Sequence, residues 1–197
     1  MVVPTCGSLE VGMFRTRRRV EAGTMRDFVA RRPAVAPSVI PHLFEDAHIT
    51  ALAHAYLAAD YRWELDGHWR EIVIGQPTPD LDGHFPDAHE FGLVTAWNPH
   101  SVIRPERANR VADDALQAEL AASRLAYRPG FAAARNRSWR EPGWVIAGMP
   151  AAELDALAHR FGQLGTVYWR RGAPVRLRLY HAQPRGWPGS PWVDWVE

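Results

Sequence analysis

Apolar residues recur at helical spacing at Ile49, Leu52, Ala53, Tyr56 and Leu57, and Asp46 is placed to cap them. The pattern predicts a helix from Asp46 to about residue 59. Two strand-like runs, 61–65 and 68–74, flank Asp66-Gly67, the signature of a tight hairpin. Residues 76–90 carry three prolines and mostly polar side chains, so a solvated loop is expected there. The apolar run Phe91-Gly92-Leu93-Val94 continues to Trp97 as a strand. It breaks at Asn98-Pro99, because Pro99 pushes Asn98 toward an extended conformation and Asn-Pro favours a turn.

A second helix is predicted over about 105–123. Pro105 suits its first turn, and Ala108, Val111, Ala112, Ala115, Leu116 and Leu120 share one stripe. Residues 125–134 read as a strand, and Pro129, which cannot donate to a ladder, places it at a sheet edge. The almost wholly apolar run 143–148 reads as a central strand. A helix follows over about 151–161, with Leu154, Leu157, Ala158 and Phe161 inward and Gly162 as its left-handed cap. Strands are expected at 166–169 and 175–180, where Leu177 and Leu179 alternate with Arg176 and Arg178.

From Phe91 onward the order is strand, helix, strand, strand, helix, strand. This is the α+β, ferredoxin-like split βαβ sandwich (β-α-β-β-α-β), here with an added N-terminal helix and β-hairpin. Its first and third strands are expected to be central antiparallel neighbours; the place of the hairpin is left open. Three regions result: a disordered basic arm at 1–43, one domain at 44–180, and a tail at 181–197 rich in Pro, Gly and Trp. In this topology the first strand ends where the third begins, and the second helix returns to the same edge. Trp97-Asn98, Trp139-Arg140-Glu141-Pro142 and Gly162-Gln163 are therefore expected to converge, with Ser101 and Asn109 nearby.

Composition narrows the function classes. The formal net charge of +1 makes no global case for nucleic acid or an anionic membrane. The arm holds seven arginines against three carboxylates, either a basic contact or an unfolded segment. A single cysteine, Cys6, excludes an internal disulfide and a Cys-based zinc site. No apolar run reaches the ~18 residues of a membrane helix, and no signal-peptide pattern is present, so a cytoplasmic protein is expected. Asp80, Asp82, His84, Asp87, His89 and Glu90 could suggest a metal, but they lack metal-ligand spacing, and neither metal nor cofactor is expected.

The convergent edge is the candidate site. Asn98, Asn109, Glu141 and Gln163 supply amides and one carboxylate. Trp97 and Trp139 supply flat apolar walls, and Arg140 could grip an anion bidentately. Glu141 is the one candidate general acid or base, with His100 its nearest titratable neighbour in sequence; there is no nucleophile constellation. The same residues serve a structural network, a small-molecule pocket, or catalysis through Glu141. For the whole protein the favoured reading is a ligand-binding or regulatory domain for a small polar metabolite, because bracing a turn does not need so many groups. An enzyme, or an adaptor using Trp187, Trp192 and Trp195 of the tail to hold a protein partner, are the alternatives.

These residues also carry a resemblance. Thr95-Ala96-Trp97-Asn98-Pro99-His100-Ser101, then Asn109, then Trp139-Arg140-Glu141-Pro142, then Phe161-Gly162-Gln163, resemble the bacterial family called domain of unknown function 3293. The resemblance runs over about 51–169. Gly143-Trp144 departs from the Ser-Phe of that family. It implies no activity, so function has to come from the site.

Overall fold

The computed structural model describes residues 46–196. Four α-helices and eight strands follow in the order α1 (Asp46–Leu57), β1 (Asp60–Leu65), β2 (His68–Ile72), α2 (Pro79–His84), β3 (Glu90–Val94), α3 (Glu106–Ser123), β4 (Ala126–Ala133), β5 (Arg140–Ala147), α4 (Ala151–Arg160), β6 (Gly165–Arg170), β7 (Arg176–Leu179) and β8 (Val193–Trp195). The strands form one mixed sheet in the order β2-β1-β4-β5-β3-β6-β7-β8. All pairs are antiparallel except β7–β8. No described helix is long and apolar enough to cross a membrane.

The period of two along each strand divides the core. Leu93, Val145 and Val167 point to one face, where they meet Ala53 of α1, Tyr61 and Trp63 of β1, and Leu81 of α2. Val94, Ile146 and Tyr168 point to the other, where α3 and α4 cover them with Leu116, Leu120, Leu154 and Leu157. Each such fully buried Leu contributes about 1.5–3 kcal/mol of burial. As predicted, β3 and β5 are antiparallel neighbours at the centre, and Gly162 (φ +65°) closes the end of α4.

Several expectations change. The strand carrying Pro129 is not at an edge, because β1 pairs with β4. That ladder runs from Asp60↔Ala133 to Trp63↔Gly130 and stops one residue short of Pro129. The proline thus occupies a local edge inside a wide sheet, which is how the missing N–H is tolerated. The hairpin β1–β2 extends the sheet beyond β4. Residues 76–90 are not only solvated loop: α2 lies within them and Leu81 is fully buried. Arg171 Nη1 and Nε donate to the carbonyls of Asp82 (2.7 Å) and Ala88 (2.8 Å), and Nη2 donates to that of Phe85.

On α3 the inward stripe is rotated. Asn109, Leu116 and Leu120 are buried, while Val111 (63 % exposed) and Ala115 face outward. The tail drawn from 181 is not separate, since β8 pairs with β7 and Asp194 receives a two-pronged bond from Arg176. Trp187 and Trp195 meet edge to face at 5.4 Å against the core, and Trp192 covers Gly75. The basic arm read over 1–43 lies outside the described residues.

Candidate functional site

β3 ends at Val94, and the chain leaves the sheet through Thr95. Thr95 Oγ1 donates to the Pro142 carbonyl (2.6 Å) and accepts from the Trp97 amide (3.0 Å), which ties this exit to β5. The following turn contains the short 3₁₀ segment Pro99–Ser101. Asn98 (φ 46°), His100 (φ 57°) and Ser101 (φ 56°) all hold the left-handed conformation, in place of the extended one expected for Asn98 before Pro99. Asn, and to a degree His, adopt it more readily than Ser, and three such residues in four persist only where the surroundings over-determine them.

Those surroundings are the two asparagines. The Asn98 amide donates to Asn109 Oδ1 (3.0 Å), and Asn109 Nδ2 donates back to Asn98 Oδ1 (2.9 Å). The same Asn98 Oδ1 accepts from the Arg104 amide (3.0 Å). Asn98 Nδ2 donates to Glu141 Oε1 (2.7 Å). Asn109 is 2 % exposed on α3, so this reciprocal pair locks the turn to the helix. His100 N donates to the Gly162 carbonyl (2.7 Å), and buried Gln163 donates through Nε2 to the carbonyls of Trp97 (3.0 Å) and Phe161 (3.3 Å). The three sequence segments do converge.

They do not converge as one equal set. Asn98 and Asn109 are engaged with each other, and Gln163 with main chain, which is a brace. Trp97 lines no part of the cleft described below, and its buried indole N–H has no hydrogen-bond partner among the described residues. His100 covers Gly162, where an added Cβ would come within 3.2 Å of its Nε2, and does not line the cleft. Arg140 departs altogether. β5 begins at Arg140 rather than Gly143, so strand alternation sends Arg140 and Glu141 to opposite faces. Gly143 is a further departure. A Cβ there would lie 2.5 Å from the Val94 carbonyl oxygen, so a larger residue does not fit this backbone without a shift.

What remains is a cleft around Glu141. Tyr56, Trp139 and Ile103 are among the residues that line it, with Asn98, Ser101 and Glu141 as its polar groups; its volume is ≈ 250 Å³. Ile103 is 90 % exposed at its margin. Behind it lies a cavity of ≈ 30 Å³ that shares Tyr56, Trp139 and Glu141 and adds Tyr61, Gln163 and Thr166. That is room for one or two waters, in a space walled also by Leu93, Val167 and Leu177. Glu141 therefore lines both an open cleft and a small chamber of mixed polar and apolar lining.

The electrostatics follow from this position. Burial raises the Glu141 carboxyl above its ordinary range, and the Asn98 hydrogen bond only partly offsets it. Tyr56 is likewise raised by burial, with its bond to Ser101 opposing and the Glu141 charge adding to the rise. Tyr61, fully buried, is raised further, and its hydroxyl donates to the Tyr56 carbonyl (2.8 Å). Oε1 of Glu141 is held by Asn98, while Oε2 receives no hydrogen bond from a described residue. Tyr56 and Ile103 are members that the sequence reading did not include, and Tyr56 is the titratable one. Its signal was a hydroxyl on the apolar stripe of α1, which needs a partner wherever that stripe is buried.

Residues 94–165 match the model of a family described as Protein of unknown function (DUF3293). The matched segment runs from the last residue of β3 to the first of β6 and contains the Asn98–Asn109 pair, Glu141 and Gln163. The resemblance read from the sequence holds over this segment; α1 with Tyr56, and the β1–β2 hairpin, lie outside it. No curated protein and no solved structure matches the chain.

Proposed function

We propose that the protein is a small-molecule-binding or regulatory domain, and that its ligand enters the cleft at Glu141. One observation carries this reading. A partly buried carboxylate, oriented by Asn98, lines a cleft walled by Tyr56 and Trp139 and keeps one oxygen that no described residue bonds. Apolar walls supply burial, and a few fixed polar groups supply orientation, which is the usual anatomy of ligand sites. The volume suits a small metabolite with a compact apolar body and a head that donates hydrogen bonds. The three left-handed residues of the adjoining turn support the same reading, since strain of this kind collects at ligand clamps.

Thermal denaturation against a metabolite panel tests this. A ligand of the cleft raises Tm of the wild type and fails to raise that of Glu141→Gln, which keeps an acceptor for Asn98 but loses the charge. If no metabolite raises Tm, or if the variant responds equally, the cleft reading is wrong.

A second reading has its own observation. Tyr56 and Glu141 are neighbouring titratable groups, both shifted upward by burial, as general acid–base pairs often are. Turnover of a bound metabolite that is lost in both Tyr56→Phe and Glu141→Gln would favour an enzyme over a sensor. As for the fold, the run β4-β5-β3-β6 within the sheet, with α3 and α4 on one face, supports a ferredoxin-like unit widened by strands on both sides.

A further inference from the structure

Arg140 belongs to a second site. Cross-strand pairing puts it beside Ala133, and Ala133 beside Asp60; Arg62 and Phe131 face each other one position along. With Trp69 from β2 and Arg135 and Arg137 from the β4–β5 turn, these residues line a groove of ≈ 670 Å³. Its floor is aromatic. Trp69 meets Phe131 edge to face at 4.8 Å and is itself 43 % exposed. Arg140 Cζ lies 3.9 Å over the Phe131 ring and 5.5 Å from the Trp69 centroid. A guanidinium stacked this way is fixed by its flat face, while its N–H groups lie in plane and remain able to grip an anion.

Asp60 is the one carboxylate among the residues that line the groove, and it is not left to answer this charge. Asp60 is taken by Arg62 (3.0 Å), which also reaches Glu71 (2.9 Å). Arg135, Arg137 and Arg140 make no ion pair with a described residue. The turn that carries two of them is well fixed. Arg137 N donates to the Ala134 carbonyl (2.8 Å), Ser138 N to Asn136 Oδ1 (3.0 Å), and Arg137 holds φ 61°. A long cationic side chain is thus kept at a backbone position that glycine or asparagine would occupy at less cost.

We propose that this groove binds a small anion bearing a planar ring, of the nucleoside monophosphate type. The ring stacks on exposed Trp69, and the phosphate is held by Arg140 with Arg135 and Arg137. The volume lies within the ~300–1,000 Å³ of ligand sites and exceeds what a bare phosphate needs. The site is on the opposite face of β5 from Glu141; Trp139 borders both, but Trp69, Arg135, Arg137 and Arg140 line the groove and not the cleft, so variants there test it apart from the cleft.

Isothermal titration of the full chain with adenosine monophosphate, adenosine, inorganic phosphate and a short single-stranded oligonucleotide tests it. The monophosphate should bind at least ~10-fold tighter than adenosine or phosphate, because ring and anion are both recognised. Arg140→Gln and Arg135→Gln should each weaken it ~10-fold, Trp69→Ala should erase its advantage over phosphate, and Glu141→Gln should change nothing. If Arg140→Gln lowers Tm, Arg135→Gln on the exposed turn decides. Absence of monophosphate binding, or binding no tighter than phosphate, overturns the proposal. So does oligonucleotide binding that the monophosphate does not displace, which would make the face a nucleic-acid surface. Loss of binding in Glu141→Gln would place the ligand in the cleft and overturn it as well.

Discussion

Burial holds the Glu141 carboxyl above the usual range, and this has a sign. The folded chain keeps its proton to a higher pH than the unfolded chain does. Stability linked to this group is therefore full below about pH 4.3 and is lost as pH rises through the folded value. Glu141→Gln removes that loss while keeping the Asn98 bond. The Tm difference between variant and wild type should move in the variant's favour from about pH 4 to neutrality. Parallel melting curves would mean that the carboxyl ionises as freely as in water. Asn98 gives the complementary case. Its redundancy with Asn109 and Gln163 suggests a waiting ligand when read in the sequence, but its hydrogen bonds are already filled. Asn98→Ala should cost about 1–3 kcal/mol for the partners it strands, and about 1 kcal/mol more for a left-handed alanine. Asn98→Gly spares the second part. Chemical denaturation of the pair separates side chain from backbone; equal losses would refute the strain at this turn.

Elements were legible where their period was strong and local. The period identifies α3, α4 and the central pair β3–β5, because apolar repeats and capping residues lie within each segment. It misleads where a partner outside the segment decides. Pro129 reads as an edge residue, and only the early end of the β1–β4 ladder, at Trp63↔Gly130, lets it lie within the sheet. Polar Arg140-Glu141 reads as loop, because strand pairing with Ala133 and Ala132 is invisible in the segment itself. That shift of the strand start by a few residues is what split the candidate site into two faces. α2 was missed for a similar reason: its support is Arg171, distant in sequence, whose fork gathers three main-chain carbonyls. Arg171→Ala should cost about 1.5–3 kcal/mol, and Arg171→Lys should restore little, since an ammonium lacks the planar fork. Full rescue by lysine in urea melts would show that charge alone suffices.

At the scale of the molecule, the sheet joins two runs of strands through β3. On one side lie β2, β1, β4 and β5; on the other lie β6, β7 and β8. The convergence that makes the cleft depends on this arrangement, since α1 brings Tyr56 from before the first run and the turn after β3 brings Asn98 and Ser101. Sequence order foretold that the polar segments meet, because β3, β5 and α4 are tied by short connections and right-handed crossovers. It did not foretell Tyr56, whose helix reaches the site from outside that unit.

β3 has no hairpin partner. Its neighbours β5 and β6 come much later in the chain, whereas β1–β2, β4–β5 and β6–β7 each pair with an immediate successor. Hairpins form in about 1–10 μs, so the β4–β5 and β6–β7 hairpins can wait for one strand to be threaded between them. Insertion of β3 is then the slow event of folding. Truncating Leu93 to alanine should slow refolding in proportion to the stability it removes. Truncating Ile72 on the outer hairpin should chiefly hasten unfolding. Stopped-flow chevrons that showed the reverse would place the folding nucleus in the outer hairpin instead.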